Sequence, residues 1–304
     1  MRCKFCSSTD ITFHGNRRNS TSWKQRYYCK TCKRRFTPDI EPEEHEQKQG
    51  VRILVLDIET APMSVFTFNL RTDYIPASNV ITPTFMLSWA ASWLEIDGVM
   101  GDVVTSKEAR NQNDSRIVRS IHSLISQADI VISYNGDKFD IPGLNTRFLV
   151  NGLQPPSEFR SLDPYKTYKY QFRFDSNKLD YTNRMLGLEQ KTPTDFQLWI
   201  DCYHGDIDAL QEMFDYNKKD VVILKSNYKK LRPWMKRHPN LGVYFDHDGE
   251  MCRVCGSTNV REVLDKWHYT NVGKYPLYRC SDCGAESVGR TSELSKEKRK
   301  GLIK

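Results

Sequence analysis

The 304-residue chain lacks any long apolar run. None approaches the roughly 18 residues that a membrane-spanning helix needs. Nothing behind Met1-Arg2-Cys3-Lys4-Phe5-Cys6 forms the apolar core of an export signal. A membrane protein and a secreted protein are therefore both unexpected, and a cytoplasmic protein is the default. Acidic residues are almost missing from residues 1–37, which hold one against ten Lys or Arg. Cysteine is missing from most of the middle, where Cys202 stands alone between Cys32 and Cys252. Cys202 reads as a small buried apolar side chain.

What is present is the composition of a folded chain, with 38% hydrophobic and 27% charged residues. The length suggests about two domains. The net charge of +7 is unevenly spread. Residues 38–224 carry 18 basic and 28 acidic side chains, and residues 225–238 carry six basic and none acidic. Residues 248–290 balance at six each, and residues 291–304 carry five basic and two acidic. The basic flanks suit a polyanion. The acidic centre suits metal ions or is solvated surface.

Eight of the nine cysteines form four C-x-x-C pairs. Cys3-x-x-Cys6 and Cys29-x-x-Cys32 are separated by 22 residues, Cys252-x-x-Cys255 and Cys280-x-x-Cys283 by 24. A two-residue gap lets both sulfurs of a pair reach one tetrahedral ion, and the spacer accommodates a hairpin that brings the second pair back. Each set predicts one structural Zn²⁺, whose binding supplies the folding energy that such a small module lacks. Two disulfides per module would be the competing reading in an exported protein. Around the first set, Gly15-Asn16-Arg17-Arg18 and Lys24-Gln25-Arg26-Tyr27-Tyr28-Cys29-Lys30-Thr31-Cys32-Lys33-Arg34-Arg35-Phe36 resemble the N-terminal zinc ribbons of insertion-sequence transposases. That resemblance implies a nucleic-acid-binding module. Its charge and interleaved Trp23, Tyr27 and Tyr28 offer phosphate contacts and stacking surfaces. The alternative is a ribbon that contacts only its own catalytic domain. The second ribbon is neutral, so a packing or protein-contact role fits it equally. Residues 38–50 are polar, with two prolines and a final Gly, and read as a linker in which His45 is a solvated residue.

Residues 51–59, Val-Arg-Ile-Leu-Val-Leu-Asp-Ile-Glu, predict a buried strand. Asp57 and Glu59 fall two apart at its end and so share a face. Like charges so placed repel unless a cation or a proton separates them. Residues 85–94 and 98–104 predict a strand pair turning at Asp97-Gly98. Residues 115–127 predict a helix, and 129–133 another strand. Asp140 is placed where a further helix begins. A helix that starts near Ser176 is ended by Gly187. Residues 210–219 are helical, and 221–237 continue as a basic helix that Pro233 ends or kinks. Tyr216 and Asp220, four apart, share one face. The basic stretch either guides a strand towards the site or is a solvated face.

The order Asp57-x-Glu59, Asn135-x-x-x-Phe139-Asp140, Tyr216-x-x-x-Asp220 resembles the DEDDy branch of the DnaQ-like 3′–5′ exonucleases. Proofreading domains of family B DNA polymerases are among them. The resemblance covers about residues 51–235. It implies an α/β, RNase H-like mixed sheet with flanking helices, to which the two small four-cysteine zinc ribbons are added. The expected organisation is a ribbon over 1–37, a linker over 38–50, an exonuclease domain over 51–238, a ribbon over 248–290 and a basic tail over 291–304. Phosphodiester hydrolysis needs an activated water and charge stabilisation on the leaving oxygen, and two hard divalent ions held by carboxylates supply both. By resemblance, Asp57, Glu59, Asp140 and Asp220 hold two Mg²⁺ or Mn²⁺, and Tyr216 orients or deprotonates the water. Asp137 also lies in the second motif, but the Phe-Asp-x-Pro context favours Asp140. Thr60 and Asn135 are expected near the 3′-terminal nucleotide, and Lys191 on a backbone phosphate. Single-stranded DNA is the first expected substrate and RNA the alternative. A polymerase or another replication or repair protein is the expected protein partner. Two rival readings remain: an inactive nuclease fold that binds or recruits, and a transposase-like strand-transfer enzyme.

Overall fold

A computed structural model describes Cys3, Phe5, Cys6 and residues 8–18, 23–36 and 50–303. The side chains of 13–18, 23–26 and Phe36 lie outside that description. So does the expected linker up to residue 49, with His45. The chain divides into two compact units, Met1–Lys48 and Gln49–Lys304.

The first unit is an antiparallel three-stranded sheet of β1 (Ile11–Arg18), β2 (Trp23–Cys29) and β3 (Arg35–Phe36). Cys29 closes β2 and Cys32 sits in the turn before β3, so the sheet brings both knuckles together.

The second unit opens with β4 (Ile53–Thr60), then the short pair β5 (Ser64–Val65) and β6 (Val80–Thr82), then β7 (Met86–Trp93) and β8 (Met100–Val103). Next come α1 (Ser106–Arg110), α2 (Ser115–Ile125), β9 (Ile130–Ile132), α3 (Asp140–Val150) and β10 (Arg160–Leu162). Four helices follow: α4 (Pro164–Gln171), α5 (Leu179–Met185), α6 (Gln197–His204) and the long α7 (Ile207–Leu231). The main sheet has the order β10-β9-β4-β7-β8. Its first three strands are parallel, and β7 and β8 run antiparallel to their neighbours.

The central strand β4 feeds both faces. Leu54 and Leu56 join a cluster with Ile117, Ile121, Leu144 and Phe148 from α2 and α3. Ile53 and Val55 join the opposite cluster with Leu179, Val221, Leu224 and Tyr228 from α5 and α7. All four β4 side chains are buried, and each such burial contributes about 1.5–3 kcal/mol. Between α2 and α3, Arg147 grips the buried Asp114 with Nε at 2.6 Å and Nη2 at 2.7 Å, and the amide of Met86 donates to the same carboxylate at 2.9 Å.

The structure stops α7 at Leu231, short of the expected Arg237, and a single turn over Arg232–Trp234 follows. Pro233 is the cause, since it lacks an amide hydrogen and crowds the preceding turn. The basic side chains of this stretch are mostly used locally. Lys225 donates to the carbonyls of Trp93 and Ile96, and Lys229 and Arg232 reach Glu95.

The second cysteine module, β11 (Val260–Thr270), β12 (Gly273–Cys280) and β13 (Glu286–Val288), belongs to the second unit, as does the short α8 (Lys296–Lys300). The amide of Leu241 donates to the carbonyl of Arg253 at 2.7 Å. The Phe245 ring lies so close to Gly256, beside the first knuckle, that a Cβ there would stand 2.7 Å away. Gly256 also has φ +72°, so two constraints require glycine.

His238 is buried at the same junction. Its Nδ1 must donate to the Pro239 carbonyl at 2.7 Å, which leaves Nε2 to accept from the Tyr228 hydroxyl at 2.6 Å. Burial pushes His238 down to about 4, from an ordinary value of 6.5. The imidazole is neutral in the fold, whereas the unfolded chain protonates it more readily. Its contribution is therefore complete above about pH 6.5 and is lost as pH falls towards 4, at most about 3 kcal/mol. Thermal melts between pH 7.5 and 4.5 should show a steeper acid loss for the wild type than for His238→Gln. Parallel pH profiles would exclude this titration.

Candidate active site

Asp57 and Glu59 stand on β4 on the same face as Ile53 and Val55, the face that α7 covers. Tyr216 and Asp220 project from α7 one turn apart. One carboxylate oxygen from each of Asp57, Glu59 and Asp220 lies within 4.8 Å of the others. Asp140 is the first residue of α3, and its Oδ1 accepts the amide of Ile58 at 3.3 Å. The tight Tyr134-Asn135-Gly136 turn delivers it. A Cβ on Gly136 would stand 1.7 Å from Ser133 Oγ, so only glycine fits there. Asn135 takes φ 59° in the same turn, and its amide donates to Asp163 Oδ1 at 2.8 Å. Asp137 turns away, bonded to Lys166 and Ser161.

The electrostatics follow from this crowding. Burial raises Asp57 well above the usual carboxylate range, and the charges of Asp140, Glu59 and Asp220 raise it further. Burial, then Asp220, pushes Glu59 up to about 7. Burial pushes Asp140 up to about 6, and it raises Asp220 as well. Carboxylates so placed are relieved by protons or by cations. One cation comes from the chain: Lys191 Nζ bonds Asp220 and stands 3.4 Å from the Tyr216 hydroxyl. Burial opposes its charge, but Asp220 and Asp57 outweigh that and raise its pKa.

Thr60, at the end of β4, lines a 550 Å³ cavity with Met63, Phe196 and Trp199. Asn135 and Lys191 line a 380 Å³ cleft together with Asp57. Three further residues touch the site. Asn217 is fully buried, and its Nδ2 donates to Asp57 Oδ2 at 2.6 Å. The Ser88 hydroxyl donates to Asn217 Oδ1 at 3.2 Å and so sets the amide's orientation. Trp199 bonds Glu59 through its side chain and packs edge-on against Tyr216, with ring centroids 6.1 Å apart. Helical periodicity places Asn217 a turn before Val221 on the buried side of α7, a signal that could have found it. Nothing in the sequence marks Ser88 or Trp199.

The donor set fits hard divalent ions. All its ligand atoms are carboxylate oxygens, and buried Asp220 Oδ1 has no hydrogen-bond partner among the described residues. The cysteine modules fit zinc. The Cys3–Cys32, Cys6–Cys29, Cys252–Cys283 and Cys255–Cys280 sulfur pairs are each 3.6 Å apart. A disulfide bond would be about 2.05 Å. A tetrahedron with zinc–sulfur bonds of about 2.3 Å has edges of about 3.8 Å. The amides of Phe5 and Val254 point at Cys3 and Cys252 at 3.4 Å, as a thiolate requires.

A family model of the RNase H superfamily matches residues 85–232. No curated protein matches the chain. Among solved structures, the chain is similar to the family B DNA polymerase from the hyperthermophilic archaeon Pyrobaculum calidifontis, at 16% identity with a TM-score of 0.44. The similarity covers 60% of this chain and 25% of the polymerase. The mixed sheet with its helices is an RNase H-like fold, and with its acidic cluster it supports nuclease chemistry in general terms. Among the described residues, no helix is long and apolar enough to cross a membrane.

Two measurements probe these centres. Asn217→Ala removes the donor that holds Asp57, and should raise the Mg²⁺ or Mn²⁺ concentration for half-maximal thermal stabilisation by about 10–100-fold. Unchanged ion titrations would refute the link. Native mass spectrometry should find two zinc ions per chain, with one lost in Cys6→Ser and the other in Cys255→Ser. Metal-free chains would refute the ribbon reading.

Proposed function

We propose that this protein is a metal-dependent 3′–5′ exonuclease that shortens single-stranded DNA. The carrying observation is the meeting of Asp57, Glu59 and Asp220 in one partly buried cluster, beside Tyr216 on the same helix face as Asp220. Asp57, Glu59, Asp140 and Asp220 would hold two Mg²⁺ or Mn²⁺. When bound, such ions activate the attacking water and stabilise the leaving oxygen. Burial and the Asp220 charge push Tyr216 up to about 12. Its role is to orient or deprotonate the attacking water. Asn217 and Trp199 hold Asp57 and Glu59 in place. Thr60 and Asn135 flank the 3′-terminal nucleotide, and Lys191 turns from Asp220 to a phosphate when the strand enters.

In this reading residues 51–238 are the exonuclease domain, and the ribbons over 1–37 and 248–290 help hold the nucleic acid. The four-thiolate sites suit a reducing cytoplasm. Single-stranded DNA is favoured because a paired 3′ end must fray before it reaches the carboxylates. RNA is the second reading, since the same carboxylates serve both and no described contact is dedicated to a 2′-hydroxyl.

The test is degradation of 5′-labelled single-stranded DNA and matched RNA with Mg²⁺, with Mn²⁺ and with EDTA. A ladder shrinking from the 3′ end is expected, lost with EDTA and in Asp57→Ala. Tyr216→Phe should slow it about 10²-fold or more. Intact substrate under every metal, with binding retained, would overturn the enzyme reading.

A further inference from the structure

A second cavity, of 610 Å³, opens beside the turn that carries Asn135 and Asp140, and nothing above assigns it a role. Asp137 and Asp163 lie on one wall, Lys166 and Tyr170 come from α4, and Lys236 and Arg237 follow the end of α7. Two features of its lining point to one kind of ligand. Lys236 and Arg237 are exposed and form no ion pair among the described residues, unlike Lys225, Lys229 and Arg232 nearby. Cations with no internal partner in a concave site suit phosphate. Tyr170 is 75% exposed beside them; Lys169 Nζ stands 5.7 Å from its ring centroid, and the opposite ring face suits stacking of a base. Asp163 is 6% exposed. Its Oδ1 accepts the amides of Asn135 and Tyr165, while Oδ2 has no partner among the described residues. Phosphate and ring occur together in a nucleotide.

The position adds a route. Asn135 and Tyr165 line the cleft that contains Asp57, and both bond Asp163, which lines this cavity. A strand whose 3′ end lies at the carboxylates can therefore pass over the Asn135 turn into it. We infer that the cavity holds a nucleotide of the substrate strand several positions 5′ of the bond being cut. This rests on the exonuclease reading and makes the cavity the measure of how much single strand the enzyme grips.

The experiment uses the full chain and fluorescence anisotropy. The probes are 5′-labelled DNA strands of two and eight nucleotides, with a phosphorothioate at the last linkage to block cutting. The octamer should bind the wild type at least tenfold more tightly than the dinucleotide. That ratio should fall about tenfold in Lys236→Ala/Arg237→Ala and in Tyr170→Ala. The octamer's log–log salt slope should become shallower by about 1.4 in the double variant, as the loss of two phosphate contacts requires. Wild-type ratios and slopes in both variants would overturn the inference. So would saturable binding of a free nucleoside 5′-monophosphate that depends on Tyr170 and Arg237 while the length ratio does not, since the cavity would then serve a free nucleotide. If wild type shows no metal-dependent hydrolysis, the exonuclease reading fails by itself, whatever the binding ratios.

Discussion

The carboxylates of Asp57, Glu59 and Asp220 crowd into one partly buried corner of the second unit with Asp140 beside them, and their mutual repulsion sets the terms for much of what surrounds them. Two unit charges about 4 Å apart repel by roughly 4 kcal/mol at the dielectric typical of protein sites. The chain opposes that with a rigid frame. β4 pairs with parallel β9 over Ile53–Val55 and with antiparallel β7 from Leu54 to Thr60, so the β7 ladder holds Asp57 and Glu59 in register. The register sets Glu59 opposite Ser88, and Ser88 is the residue that orients Asn217 towards Asp57. The α7 helix is anchored below by Val221, Leu224 and Tyr228, which fixes the height of Asp220. Lys191 is the one ammonium that shares the corner among the described residues, and the carboxylates stay raised in spite of its charge. Affinity for divalent ions is thus a property of the frame as much as of the four side chains.

Much of this was legible in the sequence because it depends on local pattern. The run Ile53-Leu54-Val55-Leu56 reads as a buried strand, and the period-two rule places Asp57 and Glu59 on one face. The four-residue step from Tyr216 to Asp220 reads as one helix face. The support of the site was not legible, because it is assembled across the chain. Ser88 meets Asn217 over 129 residues and Asn217 meets Asp57 over 160, and no periodicity records such meetings. The contact of Lys191 with Asp220 likewise spans 29 residues and leaves no trace in any period. The basic run after Asp220 looks uniform in the sequence, but Lys225, Lys229 and Arg232 bind Glu95 or backbone carbonyls while Lys236 and Arg237 line the 610 Å³ cavity. The end of α7 at Leu231 was legible in Pro233, although the charge pattern suggested a longer helix.

The two cysteine modules show where spacing stops being informative. Their motifs are nearly the same, and each gathers four sulfurs in the same pairing. One forms a unit of its own. The other is built into the second unit through the Leu241–Arg253 backbone bond and the Phe245–Gly256 contact. Only the neutral charge of the second module hinted at a packing role.

The main sheet ends in two very short strands, three residues in β10 and four in β8. β10 runs almost at once into Pro164, which has no amide hydrogen to offer a neighbour. Along β8, Arg116 clasps Asp102 through both carboxylate oxygens and donates to the carbonyl of Val103. Neither border offers an incoming strand a long, flat row of open backbone groups. A core as rich in Val, Ile and Leu strands as this one would otherwise template its own aggregation, and the sheet is closed to growth at both rims.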